Sequence, residues 1–192
     1  MDSLVLGHPS AERYALETLL GDAGHNVTVC HDQHWGCVGL EGTCPLDDQP
    51  VDVAVAVAEP GDRFDAQGLT CVHRSRIPIV TVGARRDDPV LDYSTANAPR
   101  VDQTLLTAIE AAALDASGHR RAIERRLHDH LRSEEHVVVS VERTARHLDV
   151  LLTADLDTSR ATALADVARH AARDYDRHVD VIDVSVSSMT VT

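Results

Sequence analysis

The sequence predicts an α/β protein with two parts: a doubly wound parallel sheet over residues 1–116 and a small α+β module of order αββαβ over residues 118–192. Three observations lead to this prediction. In the first part, short and almost purely apolar runs alternate with helical patterns, as buried parallel strands do. In the second part, apolar and polar residues alternate, which is typical of a sheet with one exposed face. Gly118 interrupts the helical pattern between them, which places the boundary near Ser117 and Gly118.

The first part contains four predicted strands, at residues 3–6, 26–30, 51–57 and 77–82. Helices are predicted between them: one capped by Ser10 and ended by Gly24, one over residues 65–74, and one capped by Asp102. Residues 31–50 have no periodicity and are rich in Gly and Pro, so we predict a long loop there. Loops of this length in compact domains are usually functional or disordered.

The second part begins with a predicted helix that carries Ile123, Leu127 and Leu131 at helical spacing. Two alternating strands follow and are predicted to form a hairpin that turns at residues 144–146. A second helix is predicted to be capped by Thr158 or Ser159, and residues 179–186 form the last predicted strand.

Four segments of the first part carry a family resemblance. They are residues 4–9 with the following helix to residue 27, residues 51–57 followed by Glu59-Pro60-Gly61, residues 77–84, and Asp92-Tyr93 with Pro99. In this order they resemble the receiver domain of response regulators over roughly the first 116 residues. The resemblance implies a flavodoxin-like domain and a role in signalling.

The resemblance does not extend to the residues that make a receiver phosphorylatable. Receivers place an acidic pair after the first strand, where this chain has Gly7 and His8. The phosphoacceptor aspartate is replaced by Val57, the hydroxyl residue after the fourth strand by Gly83, and the late lysine by Ala98. Phosphoryl transfer to a receiver needs a nucleophilic carboxylate, a cation on oxygen ligands and a neutralising base. The resemblance therefore predicts a degenerate receiver that is not phosphorylated.

The second part has the element order of two small families. From residue 127 to residue 186 it resembles a BON domain, with an alkaline-shock-type domain as the alternative. The glycines common in the BON hairpin and before its last strand are absent, since Arg146 and His178 occupy those neighbourhoods. The membrane association of the BON family is therefore not expected for this chain.

Cysteine and histidine residues are concentrated around the predicted loop. The candidate metal ligands are His8, Cys30, His34, Cys37 and Cys44. Ligands of doubly wound sheets bind beyond the carboxyl ends of the strands, where His8 and Cys30 would end adjacent strands. Thiolate and imidazole together suit zinc or another transition metal. The C-x6-C-x6-C spacing is not that of a zinc knuckle, and simple burial of the cysteines is the alternative.

The charge of the chain disfavours some function classes. The formal net charge is −13, which disfavours nonspecific binding to nucleic acid or to anionic membranes. The basic residues Arg120, Arg121, Arg125 and Arg126 are predicted to form a solvated helix face that pairs with the acidic first part of the chain. No apolar run reaches the roughly 20 residues that span a bilayer, and no signal peptide is visible, so we expect a cytoplasmic protein.

These observations lead to two functional hypotheses. The first is a non-catalytic regulatory protein, without a cofactor, whose receiver-like part is an interaction or sensing module for protein partners. The alternative is a metal- or redox-responsive sensor that uses the Cys/His loop. The last strand would lie at a sheet edge, so we also predict a homodimer built through the second part. Docking of the second part on the first is the competing possibility.

Overall fold

The computed structural model describes residues 1–30, 44–49, 51–58, 63–144 and 146–188. They belong to two compact units, Met1–Ala113 and Leu114–Thr192. The first unit contains, in chain order, β1 (Asp2–Leu6), α1 (Ala11–Asp22), β2 (Asn26–Val29), α2 (Pro45–Asp48), β3 (Val53–Val57), α3 (Ala66–Arg74), β4 (Ile79–Val82), a 3-10 helix (Pro89–Tyr93), β5 (Ala96–Ala98) and α4 (Gln103–Ala113). The second unit contains α5 (Ser117–His128), β6 (Val138–Thr144), β7 (His147–Thr153), α6 (Thr158–Tyr175) and β8 (Val181–Ser187).

The sheet of the first unit has five parallel strands in the order β2-β1-β3-β4-β5. The chain moves outward from β1 to one edge and then, from β3, to the other, which is the flavodoxin-like form of the doubly wound fold. This confirms the predicted fold class. Because all five strands run the same way, the residues that follow them lie along one edge of the sheet.

The side chains of β3 divide the core of the first unit into two layers. Its three valines pack with α1 and α4, through residues such as Leu16 and Leu105. Its alanines, Ala54 and Ala56, face the opposite layer, where Leu69 of α3 is buried. Every residue of β3 is buried, so the near-continuous apolar run indicates a central strand that is covered on both faces.

The helix boundaries of the first unit follow from capping side chains. The Ser10 hydroxyl accepts a hydrogen bond from the Arg13 N–H, and Gly24 adopts a φ of 80° just after α1. The Asp65 carboxylate caps α3 in the same way, and the Asp102 carboxylate accepts a hydrogen bond from the Thr104 N–H at the start of α4. The predicted caps at Ser10, Gly24 and Asp102 are confirmed.

Three short elements of the first unit were not predicted. The four-residue helix α2 lies within the predicted loop, so the prediction of a loop throughout residues 31–50 is wrong there. The 3-10 helix and the three-residue β5 lie between β4 and α4. Side chains tie this segment together, since the Thr81 hydroxyl donates to the Asn97 side-chain oxygen at 3.0 Å and the Ser94 hydroxyl lies 3.3 Å from the Thr81 hydroxyl oxygen.

The second unit contains a three-stranded sheet in the order β6-β7-β8. The first two strands form the predicted antiparallel hairpin, and β8 is parallel to β7. Apolar residues of α5 and α6, among them Ile123 and Leu164, pack against Leu148 and Leu152 of β7. The predicted order αββαβ is therefore found, with α6 as the connection between two parallel strands.

Two predictions about the helices of the second unit are wrong. Gly118 does not interrupt a helix but lies in the first turn of α5, where a Cβ would overlap the Tyr175 hydroxyl. Glycine is present there because another side chain approaches closely. The cap of α6 is Asp157, which precedes Thr158 and Ser159 and accepts a hydrogen bond from the Arg160 N–H.

None of the helices in the described ranges is both long and apolar enough to cross a membrane. The arginines predicted to line one face belong to α5, and two of them form ion pairs within the second unit. Arg120 lies 3.9 Å from Glu124, and Arg126 lies 3.2 Å from Asp174. These pairs involve exposed side chains, as a solvated face requires, but their carboxylates belong to the second unit and not to the acidic first part that was predicted to supply them.

Candidate functional site

The carboxyl edge of the five-stranded sheet is where the family resemblance would place a phosphorylation site. Gly7 follows β1 with a φ of 145°, and a Cβ at this position would lie 2.5 Å from the carbonyl oxygen of Val57. The Val57 side chain is buried in the layer formed by α1 and α4. The backbones after β1 and at the end of β3 are therefore in close contact, with no space for a side chain at residue 7.

The ends of the next two strands also meet through backbone groups. Gly83 follows β4 with a φ of 77°, a conformation that favours glycine, and its N–H donates a hydrogen bond to the Ala98 carbonyl at 2.8 Å. Ala98 itself is buried. At the positions that match the acidic pair of a receiver, the chain thus has Gly7 and the exposed His8. The positions of the phosphoacceptor, the hydroxyl residue and the lysine are occupied by the buried Val57, by Gly83 and by the buried Ala98. Glu59, the nearest acidic residue after β3 in the sequence, lies outside the described residues.

A buried arginine of α1, Arg13, lies close to the backbone of Gly7. The Arg13 side chain is only 3% exposed, and its Nε lies 2.9 Å from a Glu17 carboxylate oxygen one turn later in α1. Its Nη1 is 3.5 Å from the Gly7 carbonyl oxygen. The guanidinium is therefore already engaged by a carboxylate and lies within contact of the Gly7 carbonyl.

The predicted metal ligands are only partly described. His8 is exposed directly after β1, Cys30 is buried at the end of β2, and Cys44 is half-buried before α2. His34 and Cys37 lie outside the described residues. The donor atoms of His8, Cys30 and Cys44 do not form a group of three within 4.8 Å of one another. The Cys/His metal site therefore stays a prediction.

Three cysteines share one apolar environment. Cys30 belongs to the core layer on the α3 side of the sheet, and Cys44 and Cys71 are half-buried against that same layer. Cys71 lies in α3. Chain segments distant in sequence therefore bring three thiols to the same layer of the first unit.

The second unit contains a buried charged cluster that the sequence analysis did not identify. His119 from α5, Arg143 from β6 and Asp176 after α6 are each at most 5% exposed. The His119 Nε2 lies 3.2 Å from the Asp176 Oδ2, and an Arg143 Nη2 lies 3.9 Å from the same oxygen. The other carboxylate oxygen accepts a hydrogen bond from the His178 N–H at 2.9 Å.

The environment of Asp176 favours its charged form. Burial raises the pKa of this carboxyl. Hydrogen bonds from His119 and the His178 N–H, together with the Arg143 charge, lower the pKa by more than burial raises it, so the pKa lies below its ordinary value. Tyr175 packs edge-on against the His119 ring at 4.9 Å between centroids. The cluster holds α5, β6 and the segment before β8 together, and its burial indicates a structural role.

Comparison with known proteins gives a fold likeness only. No protein-family model matches the chain, and no curated protein matches it. The BON-like or alkaline-shock-like assignment of the second unit therefore stays a prediction. Solved structures that it resembles include a response regulator from Thermotoga maritima, at 13% identity and a TM-score of 0.42, covering 58% of this chain and 96% of that one.

Two further solved structures are similar to the same extent. A CheY-like receiver domain protein from Methanospirillum hungatei is 18% identical with a TM-score of 0.43, covering 58% of this chain and 92% of that one. The pseudo-receiver domain of the CikA protein is 19% identical with a TM-score of 0.41, covering 58% and 94%. The structural neighbours are thus receiver and pseudo-receiver domains, while the fold of this chain is assigned from its own strand order.

Proposed function

We propose that the first unit is a non-catalytic regulatory module that binds protein partners and is not controlled by aspartyl phosphorylation. The observation that carries the proposal is the packing of Gly7 on the Val57 carbonyl at the carboxyl edge of the sheet. A receiver needs a carboxylate pair and an acceptor carboxylate at these positions, to hold a hard cation and the phosphoryl group. Here the same space is filled by backbone and a buried apolar side chain.

Such a module would be regulated by something other than phosphorylation. In the described residues, buried apolar layers cover both faces of the sheet, which supports a retained fold, while the positions that match the acidic residues of a receiver carry Gly7, His8 and Val57. In a receiver, the phosphoryl group biases two conformations by binding them with different affinity. Without that ligand, the module's state would depend on its partners or its concentration. Signalling through a fixed interaction surface is the simplest function that meets these conditions.

Incubation with acetyl phosphate and Mg²⁺ tests this proposal. We expect the full chain to keep its unmodified mass, while an ordinary receiver domain in the same tube becomes labelled. The physical reason is that Val57 is not a nucleophile and Gly7 supplies no metal ligand. Intact-mass spectrometry reads both proteins at once. A stoichiometric phosphoaspartate on this chain would contradict the proposal, whichever carboxylate carries it.

A metal- or redox-responsive sensor is the second candidate function. The observation that favours it is the position of Cys30, Cys44 and Cys71 against one layer of the first unit. Thiolates bind zinc or form disulfides where they lie close together, although the donor atoms of these three do not lie within 4.8 Å of one another. Elemental analysis of protein purified without chelator or histidine tag tests this alternative. A bound transition metal that is lost in Cys37→Ser and Cys44→Ser variants would favour it, and their unchanged metal content would remove it.

We further propose that the chain is a homodimer assembled through the second unit. In that unit β8 lies at an edge of the sheet, and Val181 at its start is 44% exposed. Exposed edge strands pair readily with another chain. Light scattering of the full chain is expected to give twice the chain mass of 20.8 kDa. A monomer mass at tens of micromolar would contradict the dimer.

A further inference from the structure

We propose that His147, Asp149 and Asp183 form a binding site for a divalent transition metal of the zinc class, on the exposed face of the second sheet. The site uses none of the residues at the carboxyl edge of the first sheet, so it does not depend on the proposal that this edge is not phosphorylated. Asp183 belongs to β8, which is also the strand proposed for the homodimer. None of the three residues belongs to the metal site predicted from the sequence.

The strand register brings the three side chains together. His147 and Asp149 are two residues apart on β7 and so point to the same face of the sheet. Asp183 of β8 lies directly opposite Asp149 across the parallel ladder. The intervening Leu148 and its partner Ile182 point to the opposite face and are buried in the core. The strands therefore present the three donors on one outward surface.

The distances between the donor atoms suit a single ion. The His147 Nε2 lies 3.3 Å from an Asp149 carboxylate oxygen and 3.1 Å from an Asp183 carboxylate oxygen. All three donor atoms lie within 4.8 Å of one another. A tetrahedral zinc ion, with bonds of 2.0–2.1 Å, separates its ligands by about 3.3 Å. Two of the three distances between the donor atoms are already close to this value.

The imidazole nitrogen also points to a ligand. The His147 side chain is 41% exposed, but its Nε2 atom is shielded from solvent and, although it lies within ion-pair distance of two carboxylates, its geometry makes no hydrogen bond with a described group. A shielded nitrogen without a hydrogen bond is unfavourable by itself, and a coordinated cation would satisfy it. The two carboxylates are 62% and 70% exposed, so solvent can complete the coordination.

The surrounding charges also favour a cation. Glu142 of β6 is paired with Asp149, which is paired with Asp183, so three exposed carboxylates form one row across the sheet. Like charges directly opposite one another destabilise a sheet. The nearest arginine in the sequence, Arg146, is engaged by Asp180 at 3.0 Å and donates to the His178 carbonyl. A bound divalent ion would remove the repulsion along the row.

The donor set selects the class of metal. One imidazole and two carboxylates suit zinc and its neighbours in the first transition series. Magnesium and calcium prefer oxygen ligands throughout, in larger shells. We therefore expect zinc to bind more tightly than magnesium. Because the donors come from two strands, the site exists only in the folded state, and zinc binding should raise the melting temperature.

Calorimetric titration of zinc into the chelator-treated full chain tests the site. The exposed variants Asp183→Asn and His147→Gln each remove one donor and are expected to weaken zinc binding by at least about tenfold. They should also lose the zinc-dependent rise in melting temperature. The control Asp166→Asn removes an exposed carboxylate of α6 that pairs with Arg169, and it should bind zinc as the unaltered chain does.

A second control separates this site from the cysteines. Cobalt(II) bound to thiolates gives strong charge-transfer absorption, whereas a site of imidazole and carboxylates does not. We expect one cobalt ion to bind at the proposed site without that absorption. This ion should no longer bind to the Asp183→Asn variant, and it should still bind to the Cys44→Ser variant. Unchanged zinc affinity in both Asp183→Asn and His147→Gln would overturn the proposal. So would zinc binding that is lost entirely in Cys44→Ser, or magnesium binding as tight as zinc binding.

Discussion

Replacement of Asp176 by alanine is expected to lower the free energy of unfolding of the second unit by about 3–5 kcal/mol. The carboxylate is buried between His119 and Arg143, and its removal takes away the carboxylate partner of a buried imidazole and a buried negative charge beside the guanidinium. The matched control is Asp174→Ala, two residues earlier, where the carboxylate is exposed and pairs with Arg126. That surface pair should contribute no more than about 1 kcal/mol. Chemical denaturation of both variants measures the difference.

The effect of Asp176 should depend on pH in a defined direction. Its pKa in the folded state is below its ordinary value, so the carboxylate stabilises the fold at pH above the unfolded value of about 3.9. That contribution is lost as the pH falls through the folded pKa. The difference in the free energy of unfolding between the unaltered chain and Asp176→Ala should therefore be largest near pH 7 and decrease in acid. Equal losses for the Asp176 and Asp174 variants at pH 7 would contradict the structural role of the cluster.

Replacement of Gly7 by alanine is expected to lower the free energy of unfolding of the first unit by at least about 2 kcal/mol. Two causes act together: the φ of 145° is unfavourable for any residue with a Cβ, and that Cβ would lie 2.5 Å from the Val57 carbonyl oxygen. The control is Gly21→Ala in α1, where a Cβ meets nothing within 4 Å. Alanine there should instead stabilise the chain by roughly 0.5–1 kcal/mol.

The Gly7 comparison bears directly on the proposed function. It measures how tightly the backbone is packed at the position where a receiver has an acidic residue. Thermal and chemical unfolding of the two glycine variants give the values. If Gly7→Ala is as stable as Gly21→Ala, the edge has room for a side chain, and the argument that it is closed fails.

Hydrophobic periodicity was sufficient to predict most of the architecture. The apolar run of β3 and the alternation along β7 distinguish a strand buried on both faces from one with an exposed face. Capping side chains such as Ser10 placed helix ends correctly. The three-residue β5 was missed because it is too short to show a period, and it is held by its ladder with β4 and by hydrogen bonds of the Thr81 hydroxyl.

The sites depended on information that the sequence does not display. Gly7 and Val57 could be identified from the sequence because Gly7 directly follows a predicted strand and Val57 ends another. Their close contact could not be predicted. His119, Arg143 and Asp176 are charged or polar residues, which ordinarily indicate surface positions, and they are 57 residues apart at their extremes. The neighbourhood of His147 and Asp183 depends on the register between two parallel strands joined by a helix, and no local pattern specifies that register.

The most direct measurement of the central claim is an NMR titration of the full chain with Mg²⁺ and then beryllofluoride, which mimics a phosphoryl group on an aspartate. The amide signals of Gly7 and Gly83 report on the carboxyl edge of the sheet. The account predicts that beryllofluoride adds no saturable shift at either glycine beyond the effect of Mg²⁺ alone. A saturable shift of both signals, at the concentrations that activate an ordinary receiver, would show that the edge still holds a phosphoryl-binding pocket and would contradict the account.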